Sequence, residues 1–310
     1  MKKKLFISLL ATIAALCCVF AFSACFTSEE KGEDGHTHIA DTYAVDDNSH
    51  WKICTVCGEQ FANGNHKFGQ DNSCSVCDYS TKYTEGLQFS EIKDDAENVI
   101  AYEVAGIDEE TVTEIVIPSY YNGKSVTTIG RKAFRWCKSF TSIIIPNSVT
   151  TIGSEAFCDC DGLTSISIPN SVTTIGSEAF YDCDGLTSIS IPNSVTQIGS
   201  SAFYDTAYFN DEKNWEENVL YIGKHLIRAK TNITGTYTIK QGTLTMANEA
   251  FRECSNLMSL IIPDSVTSIG SYAFEDCSGL TSITIPDSVT SIGNGAFRDC
   301  SGLTSVTIPD

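Results

Sequence analysis

Apolar residues recur through the second half of the chain with a period of 23 residues. Within one unit they occupy these positions: Leu163, Ile166, Ile168, Val172, Ile175, Ala179, Phe180 and Cys183. Prolines keep the same spacing in two runs: Pro146, Pro169 and Pro192, then Pro263, Pro286 and Pro309. A fixed period of this length predicts a solenoid, in which each unit buries its apolar face only against its neighbours. Such a stack presents a surface rather than a cleft, which favours binding over catalysis.

Each unit contains the spacing of a leucine-rich repeat strand, L-x-x-I-x-I, beginning in one copy at Leu163. Pro169 ends this strand because proline cannot donate to the hydrogen-bond ladder. A second short extended segment reaches Ile175, and Gly176 is expected to adopt a backbone conformation that is closed to other residues. We therefore predict a β-rich solenoid with a parallel β-sheet face over residues 84–310.

The pair Ala-Phe marks seven units and is predicted to fill the core, at positions 133/134, 156/157, 179/180, 202/203, 250/251, 273/274 and 296/297. Six units carry a cysteine three residues after the phenylalanine: Cys137, Cys160, Cys183, Cys254, Cys277 and Cys300. Stacked strands lie about 4.8 Å apart, so these sulfurs form a column near disulfide range. We predict that they pack as small apolar residues. The repeats supply no neighbouring base that would make them catalytic.

Both ends of the repeat region depart from the period. Residues 87–117 are predicted to open the stack with an antiparallel hairpin that caps its exposed end. Five extra residues between Pro118 and Pro146 indicate an expanded turn at 120–124. The sequence ends at Asp310 in the middle of a unit, so either it is truncated or this edge meets another domain or copy.

The regular pattern also lapses over residues 204–245, between two Ala-Phe pairs. Two apolar runs around Gly223-Lys224 predict a hairpin there. The stretch is interpreted either as a larger loop on the binding side of the solenoid or as a decayed pair of repeats. His225 has no partner at motif spacing and is expected at the surface. A catalytic alternative, a glycan hydrolase, would use carboxylates of this stretch: Glu212, Glu216 and Glu217.

Short hydroxyl side chains occupy the outward positions of the predicted strands. The candidate binding surface consists of Ser165, Ser167, Ser188, Ser190, Ser282 and Thr284. Ile144 and Ile261 stand at the same outward position in two other units. A flat, polar and uncharged sheet face could contact glycans or protein surfaces, or it could serve only to keep a long sheet solvated.

The chain begins with three lysines and an apolar run over residues 5–22, the pattern of a secretory signal, which we place at residues 1–24. Small residues directly before Cys25 resemble a bacterial lipobox. This resemblance implies that Cys25 is acylated and anchors the exported protein to a membrane. Simple secretion and an uncleaved anchor remain the alternatives. Residues 25–35 are polar and charged, which predicts a flexible tether.

The acidic balance of the chain excludes one class of partner. The formal net charge is −19, and removal of residues 1–24 with their three lysines would take it to −22. A surface this acidic repels the phosphates of nucleic acid and anionic lipid headgroups. We therefore expect no nucleic-acid partner, with solubility at a crowded cell surface as the simplest role of the charge.

Residues 36–82 carry four cysteines with the spacing C-x2-C-x16-C-x2-C: Cys54, Cys57, Cys74 and Cys77. This spacing predicts a structural zinc ion in a closed shell of four thiolates. His50 and His66 are alternative ligands. Two disulfides are the competing interpretation, since exported proteins meet oxidising conditions, and free thiols are a third. The segment resembles zinc-ribbon-like modules near the start of exported bacterial repeat proteins.

The full repeat, I-x-I-P-x-S-V-T-x-I-G-x-x-A-F-x-x-C-x-x-L-T-S, resembles the BspA-like leucine-rich repeat family of bacterial surface proteins over about residues 85–310. The resemblance implies an exported, non-enzymatic protein, and some members of the family are associated with adhesion to host matrix proteins or other cells. The leading hypothesis is a lipid-anchored surface protein that binds a protein or glycan through its solenoid. The alternative is an envelope spacer without a specific ligand.

Overall fold

A computed structural model describes residues 83–108 and 112–307, together with the backbone of three strands that precede them. The chain divides into two compact units, Met1–Gly69 with Cys74–Asp78, and Gln70–Ser73 with Tyr79–Asp310. The first unit contains an antiparallel sheet of three strands in the order β1-β2-β3. Their bounds are Ala44–Val45 (β1), Ser49–Ile53 (β2) and Gln60–Asn65 (β3).

The predicted zinc and lipid sites lie largely outside the described residues. His50 falls within β2, of which only the backbone is described. The other predicted residues are outside the described ranges: Cys25, Cys54, Cys57, His66, Cys74 and Cys77. Within the described ranges, no group of three or more His, Cys, Asp or Glu side chains could hold a metal ion.

An antiparallel hairpin opens the second unit, as the sequence predicted. It pairs Leu87–Lys93 (β4) with Val99–Ile107 (β5), and β5 then pairs in parallel with Lys124–Ile129 (β8). The expanded turn is a second, smaller hairpin between Tyr120–Tyr121 (β7) and the start of β8. Asn122 and Gly123 form its turn with φ angles of 47° and 71°, a left-handed conformation that these two residue types tolerate.

Each turn of the solenoid contributes one strand to each of two parallel columns. The first column contains the L-x-x-I-x-I segments: Glu114–Val116 (β6), Ser142–Ile144 (β9), Ser165–Ser167 (β11), Ser188–Ser190 (β13), Gly235–Thr238 (β18), Leu257–Ile261 (β20), Ser282–Thr284 (β22) and Ser305–Thr307 (β24). The second contains β8 and the T-x-I-G segments Thr151–Ile152 (β10), Thr174–Ile175 (β12), Gln197–Ile198 (β14), Ser268–Ile269 (β21) and Ser291–Ile292 (β23). It also contains two strands that lack this motif, His225–Ala229 (β17) and Thr245–Met246 (β19). Neighbouring turns pair with the 23-residue offset of the repeat, for example Ile152 with Ile175. The β-rich solenoid with a parallel sheet face is confirmed.

Phenylalanines of the Ala-Phe pairs stack on one another through the core. The ring centroids of Phe157 and Phe180 are 5.0 Å apart with planes at 8°, and those of Phe180 and Phe203 are 5.3 Å apart at 4°. Behind them, the Cys183 thiol donates to the Phe157 carbonyl at 3.0 Å. Four of the six column cysteines are fully buried, which confirms packing as their role: Cys160, Cys183, Cys254 and Cys277.

The expected reason for Gly176 is wrong. Its φ is not positive, since the glycines with positive φ are at other positions. A Cβ at Gly176 would instead lie 2.4 Å from the Ser154 nitrogen and 2.6 Å from the Gly153 carbonyl carbon of the preceding turn. The glycine is required because two backbones approach closely, a use of the missing side chain that spacing alone does not distinguish from a special φ.

Left-handed residues do occur twice in each turn, on the segment that carries the Ala-Phe pair. Glu178 and Asp182 have φ angles of 56° and 55°, and the same two positions are left-handed in the neighbouring turns. Between them the Phe180 amide donates to the Ala202 carbonyl of the next turn at 2.8 Å. This third segment therefore also bonds turn to turn, although it forms no regular strand.

Candidate functional site

The six predicted surface residues are all exposed, but they lie on two separate sheets. Ser165 pairs with Ser188, and Ser167 with Ser190, in the two-stranded sheet of β11 and β13. Ser282 and Thr284 belong to a four-stranded sheet with the order β18-β20-β22-β24. The hydroxyl column is thus interrupted between β13 and β18 rather than continuous along the solenoid.

Other hydroxyls of the repeat act within the fold. The Thr173 side chain donates to the Thr150 carbonyl one turn earlier, and the Ser194 side chain donates to the Val172 carbonyl at 2.8 Å. The six predicted surface hydroxyls have no hydrogen-bond partner among residues 83–108 and 112–307. The six surface hydroxyls therefore stay available to a ligand, whereas hydroxyls such as those of Thr173 and Ser194 form hydrogen bonds between successive turns.

The four-stranded sheet carries the largest exposed apolar side chains of this region. Met258 is 61% exposed and Ile261 is 52% exposed, both on β20. Ile261 lines an open depression of about 380 Å³ together with Ser282, Thr284 and Asp264. Sequence reasoning placed Ile261 at an outward position but did not consider Met258, because its position in the unit is usually threonine.

The insert at 204–245 folds as a partition between two cores. After a short helix at Ala207–Asn210 (α1), a 3-10 turn at Glu212–Asn214 and Trp215–Glu216 (β15), Val219–Ile222 (β16) pairs antiparallel with β17, as the apolar runs predicted. Side chains of β16 alternate between the clusters: Leu220 and Ile222 pack in the first, Val219 and Tyr221 in the second. The stack then resumes, because β17 pairs in parallel with β19.

Two carboxylates proposed for a hydrolase are each engaged by a lysine. Glu212 pairs with Lys230, and Glu216 pairs with Lys240 at 2.9 Å. Both carboxylates are exposed, so these ion pairs contribute little to stability. Glu212 lines a pocket of the insert that does not include Glu216.

The expectation of a surface position for His225 is wrong, since its side chain is fully buried. Its Nε2 lies 3.1 Å from the Pro192 carbonyl oxygen, and its Nδ1 has no partner among the described residues. Burial lowers the pKa of His225, because the apolar surroundings disfavour the charged imidazolium. Sequence reasoning missed this because the covering segment lies about 30 residues earlier.

The segment that covers His225 runs across β17, β19 and β21, three successive turns of the solenoid. We call the turns from β17 onwards the second stack and the turns up to β14 the first stack. Besides His225, the Thr245 hydroxyl donates to the Val195 carbonyl at 3.0 Å, and the Ser268 hydroxyl donates to the Thr196 carbonyl at 2.8 Å. Backbone carbonyls in the last regular turn of the first stack therefore accept hydrogen bonds from side chains of β17, β19 and β21.

Beside this crossing lies a cleft of about 300 Å³. Its lining comes from both stacks: Ser154, Thr174, Ile175, Gly176, Ser177, Thr196, Gln197, Ile198, Gly199, Met246, Asn248, Ser268, Ile269, Gly270, Ser271, Ser291 and Gly293. All of these side chains are uncharged, so the cleft offers hydroxyl and amide groups but no general acid or base.

No helix among the described residues is long and apolar enough to cross a membrane.

Three solved structures of leucine-rich repeat proteins are similar to this chain. A leucine-rich repeat protein from Bacteroides ovatus is 28% identical, with 74% of this chain and 53% of that chain covered and a TM-score of 0.40. The match therefore spans about half of that protein. A leucine-rich repeat protein from T. pallidum is 24% identical, with 72% and 92% covered and a TM-score of 0.41. A leucine-rich cell surface protein from Faecalibacterium prausnitzii is 20% identical, with 87% and 95% covered and a TM-score of 0.32.

A search of curated proteins gives no match. The family model described as a BspA type leucine rich repeat region, with six copies, matches residues 108–234 and 222–310. These two overlapping segments cover more than half of the chain. The chain belongs to the BspA-type leucine-rich repeat family.

Proposed function

We propose that this chain is an exported, lipid-anchored surface protein that binds a protein partner through the face of β18, β20, β22 and β24, without chemistry of its own. The observation that carries the proposal is that β20 exposes two apolar side chains, Met258 and Ile261, and that Ile261 lies in a depression beside the hydroxyls of Ser282 and Thr284. Apolar side chains grouped on a surface and rimmed by polar groups are typical of protein interaction sites.

The composition of this face suits a protein interface. A few apolar anchors supply most of the binding energy at such interfaces, and polar groups around them exclude water. Ile261 in the depression would be the anchor, with Ser282 and Thr284 as its polar rim. Asp264 adds one carboxylate to this depression. A partner with a neutral or basic contact surface therefore complements both the site and the acidic chain.

Two other functions make different predictions for the same face. A glycan-binding face would depend on the hydroxyls of Ser282 and Thr284 and little on Met258. An envelope spacer has no specific ligand and would show no saturable binding. The non-enzymatic role is supported by the family and by the uncharged lining of the cleft between the stacks.

An array of purified extracellular matrix proteins and glycans, probed with the full chain, tests the proposal. We expect saturable binding to at least one protein, weakened by about tenfold or more in the double variant Met258→Ser/Ile261→Ser. Ile100→Ser is the matched control, because Ile100 is 53% exposed on the opening hairpin. Binding that is absent throughout, or equal in wild type and the double variant, would refute the proposal.

Lipid anchoring is proposed from the residues before Cys25 alone. Mass spectrometry of the protein expressed with its own signal should find acyl chains on Cys25. The Cys25→Ala variant should then leave the membrane fraction, because two or more acyl chains are needed for stable anchoring. Retention of this variant in the membrane would argue for an uncleaved anchor instead.

A structural zinc ion in residues 36–82 is likewise proposed from the cysteine spacing. Metal analysis of the full chain should find about one zinc per chain, lost in the Cys54→Ser/Cys57→Ser variant. His50→Ala and His66→Ala decide whether a histidine replaces one thiolate. Oxidised cysteines without metal would establish the disulfide interpretation.

A further inference from the structure

A second pocket lies in the insert and shares no residue with the proposed protein-binding face. It has a volume of about 530 Å³, within the usual range of ligand sites. Three aromatic side chains, Tyr204, Phe209 and Trp215, line it together with Arg228, Lys230 and Asn232. A smaller cavity of about 20 Å³ adjoins it at Tyr204 and Phe209, which is room for a single water molecule.

The aromatic wall of this pocket is held in place before any ligand binds. The rings of Tyr204 and Phe209 are 4.9 Å apart, and those of Phe209 and Trp215 are 5.1 Å apart at 82°. The Trp215 indole donates to the Phe209 carbonyl at 2.7 Å, and the Thr206 side chain caps the helix that carries Phe209. Binding would therefore cost little side-chain ordering.

The cations of the pocket are already neutralised. Lys230 lies 4.8 Å from the centre of the Trp215 ring and pairs with Glu212. Arg228 donates to the Glu249 carbonyl at 2.7 Å and lies 3.6 Å from its carboxylate. Because each cation has an acidic partner, the pocket lacks the unpaired positive charge that an anionic ligand would need, on a chain that is itself strongly acidic.

The pocket also offers little to an extended peptide. Strand addition requires a row of unpaired backbone groups along a strand edge. Of the two strands that line the pocket, β15 has two residues and β17 is hydrogen-bonded to β16 and β19. A ligand must therefore be recognised through aromatic faces and side-chain hydrogen bonds.

We infer that this pocket binds a neutral saccharide unit of a glycan. A pyranose ring has one face of C–H groups that packs against an aromatic ring, and equatorial hydroxyls that both donate and accept hydrogen bonds. The Tyr204 ring stacks on Tyr181 at 5.9 Å and lies 4.9 Å from Phe209, and the 41% of this residue that stays exposed supplies the aromatic contact. Asn210 and Asn232 supply amide groups, and the Lys230–Glu212 pair supplies a donor and an acceptor.

A glycan array probed with the full chain tests this inference, with neutral hexose and N-acetylhexosamine oligomers beside sialylated and sulfated ones. We expect saturable binding to a neutral oligomer, followed by calorimetric titration of the best one. Tyr204→Ala should weaken that binding about tenfold or more, and Asn232→Ala several-fold. Tyr83→Ala is the matched control, since Tyr83 is also 41% exposed and lies on another part of the unit.

The outcomes separate this inference from the proposed function. The Met258→Ser/Ile261→Ser variant should keep its saccharide affinity, while Tyr204→Ala should keep its binding to a protein partner. An unchanged thermal midpoint in Tyr204→Ala and Asn232→Ala shows that the fold is intact. The inference is overturned if neutral oligomers do not bind, if charged glycans or peptides bind in their place, or if both variants bind saccharide as wild type does.

Discussion

Two columns of glycine determine how closely successive turns stack. In one column, a Cβ at Gly176 would lie 2.4 Å from the Ser154 backbone nitrogen, and a Cβ at Gly199 would lie 2.2 Å from the Ser177 backbone nitrogen. In the other, a Cβ at Gly185 would lie 2.1 Å from the Asp161 carbonyl oxygen. Any side chain at these positions must push two turns apart, so the 23-residue unit depends on residues that contribute no side-chain contact.

Substitution of Gly176 should therefore destabilise the protein through overpacking. We expect Gly176→Ala to cost about 1–3 kcal/mol, and Gly176→Asn at least as much, because asparagine is larger. At Gly242, which has a φ of 84° and nothing within 4 Å, asparagine should be milder than alanine because it tolerates the left-handed region. Thermal unfolding followed by circular dichroism compares the four variants. If Gly176→Asn destabilises the protein less than Gly176→Ala does, the glycine would be required for its backbone φ and not for the close approach of two backbones.

The column of thiols predicts an unusual chemical inertness. Burial raises the pKa of Cys254 and of Cys277 to about 12, so in the folded protein at pH 8 about one thiol in 10,000 is ionised. In the unfolded chain at pH 8, about a quarter of these thiols would be ionised. Because folding raises the pKa of these thiols, the folded state favours their neutral form. The stability that this preference contributes is complete below about pH 8.5 and is lost as the pH rises towards 12.

Alkylation with iodoacetamide at pH 8, read for each cysteine by mass spectrometry, measures this inertness. We expect Cys254 and Cys277 to stay unmodified in the native protein and to react fully in guanidinium chloride. Cys300 is only partly buried and serves as the internal comparison. Rapid native labelling of Cys277 would mean that its turn opens far more often than a packed core allows.

At the scale of elements, the 23-residue period predicted the strands and hairpins. It did not predict contacts between segments that are far apart in the sequence. The strand near Ile166, the opening hairpin and the hairpin around Gly223 all follow from local apolar patterns. The burial of His225 does not, because its cover is the segment that begins at Pro192, about 30 residues earlier. The candidate surface was likewise predicted position by position, while its division into two sheets depends on the partition formed by β16.

His225 makes the junction between these elements sensitive to acid. Since burial lowers its pKa, the neutral form is favoured by folding. Its contribution is therefore complete above about pH 6.5 and is lost as the pH falls below that value, by at most about 1.4 kcal/mol per pH unit. His225→Gln keeps a donor for the Pro192 carbonyl and does not titrate.

Chemical denaturation at pH 7.5 and pH 5.5 compares wild type with His225→Gln. We expect the wild type to lose more stability between the two values than the variant, by about 1 kcal/mol. The other four histidines are present in both proteins, so the difference reports on His225 alone. Equal losses in the two proteins would show that the junction tolerates an imidazolium.

At the scale of the whole described stack, the solenoid contains two cores rather than one. Phe180 belongs to the first cluster and Phe274 to the second, and β16 contributes alternate side chains to both. In a repeat protein stability is approximately a sum of terms from each turn and its neighbours, to which the hydrogen bonds of β17, β19 and β21 with residues 192–196 add one longer link. Damage to one core should therefore remain largely in its own half.

Hydrogen exchange of the variants Phe180→Leu and Phe274→Leu tests this independence. Each substitution removes part of a fully buried ring. We expect faster exchange in residues 130–203 for the first variant and in residues 245–297 for the second, with a smaller effect across the partition. The same acceleration in both halves for either variant would mean that the two cores unfold as one cooperative unit.

The partition strand has a consequence for the order in which the chain folds as it emerges. All four residues of β16 are buried, two against turns that precede it and two against turns that follow. A nascent chain that leaves the ribosome or the export channel from its amino end completes the first stack before the second exists. The hairpin then seals the open end of the first stack and exposes Val219, Tyr221 and Leu226 as the template for the second. Until residues 233–296 arrive, that apolar face is open to self-association.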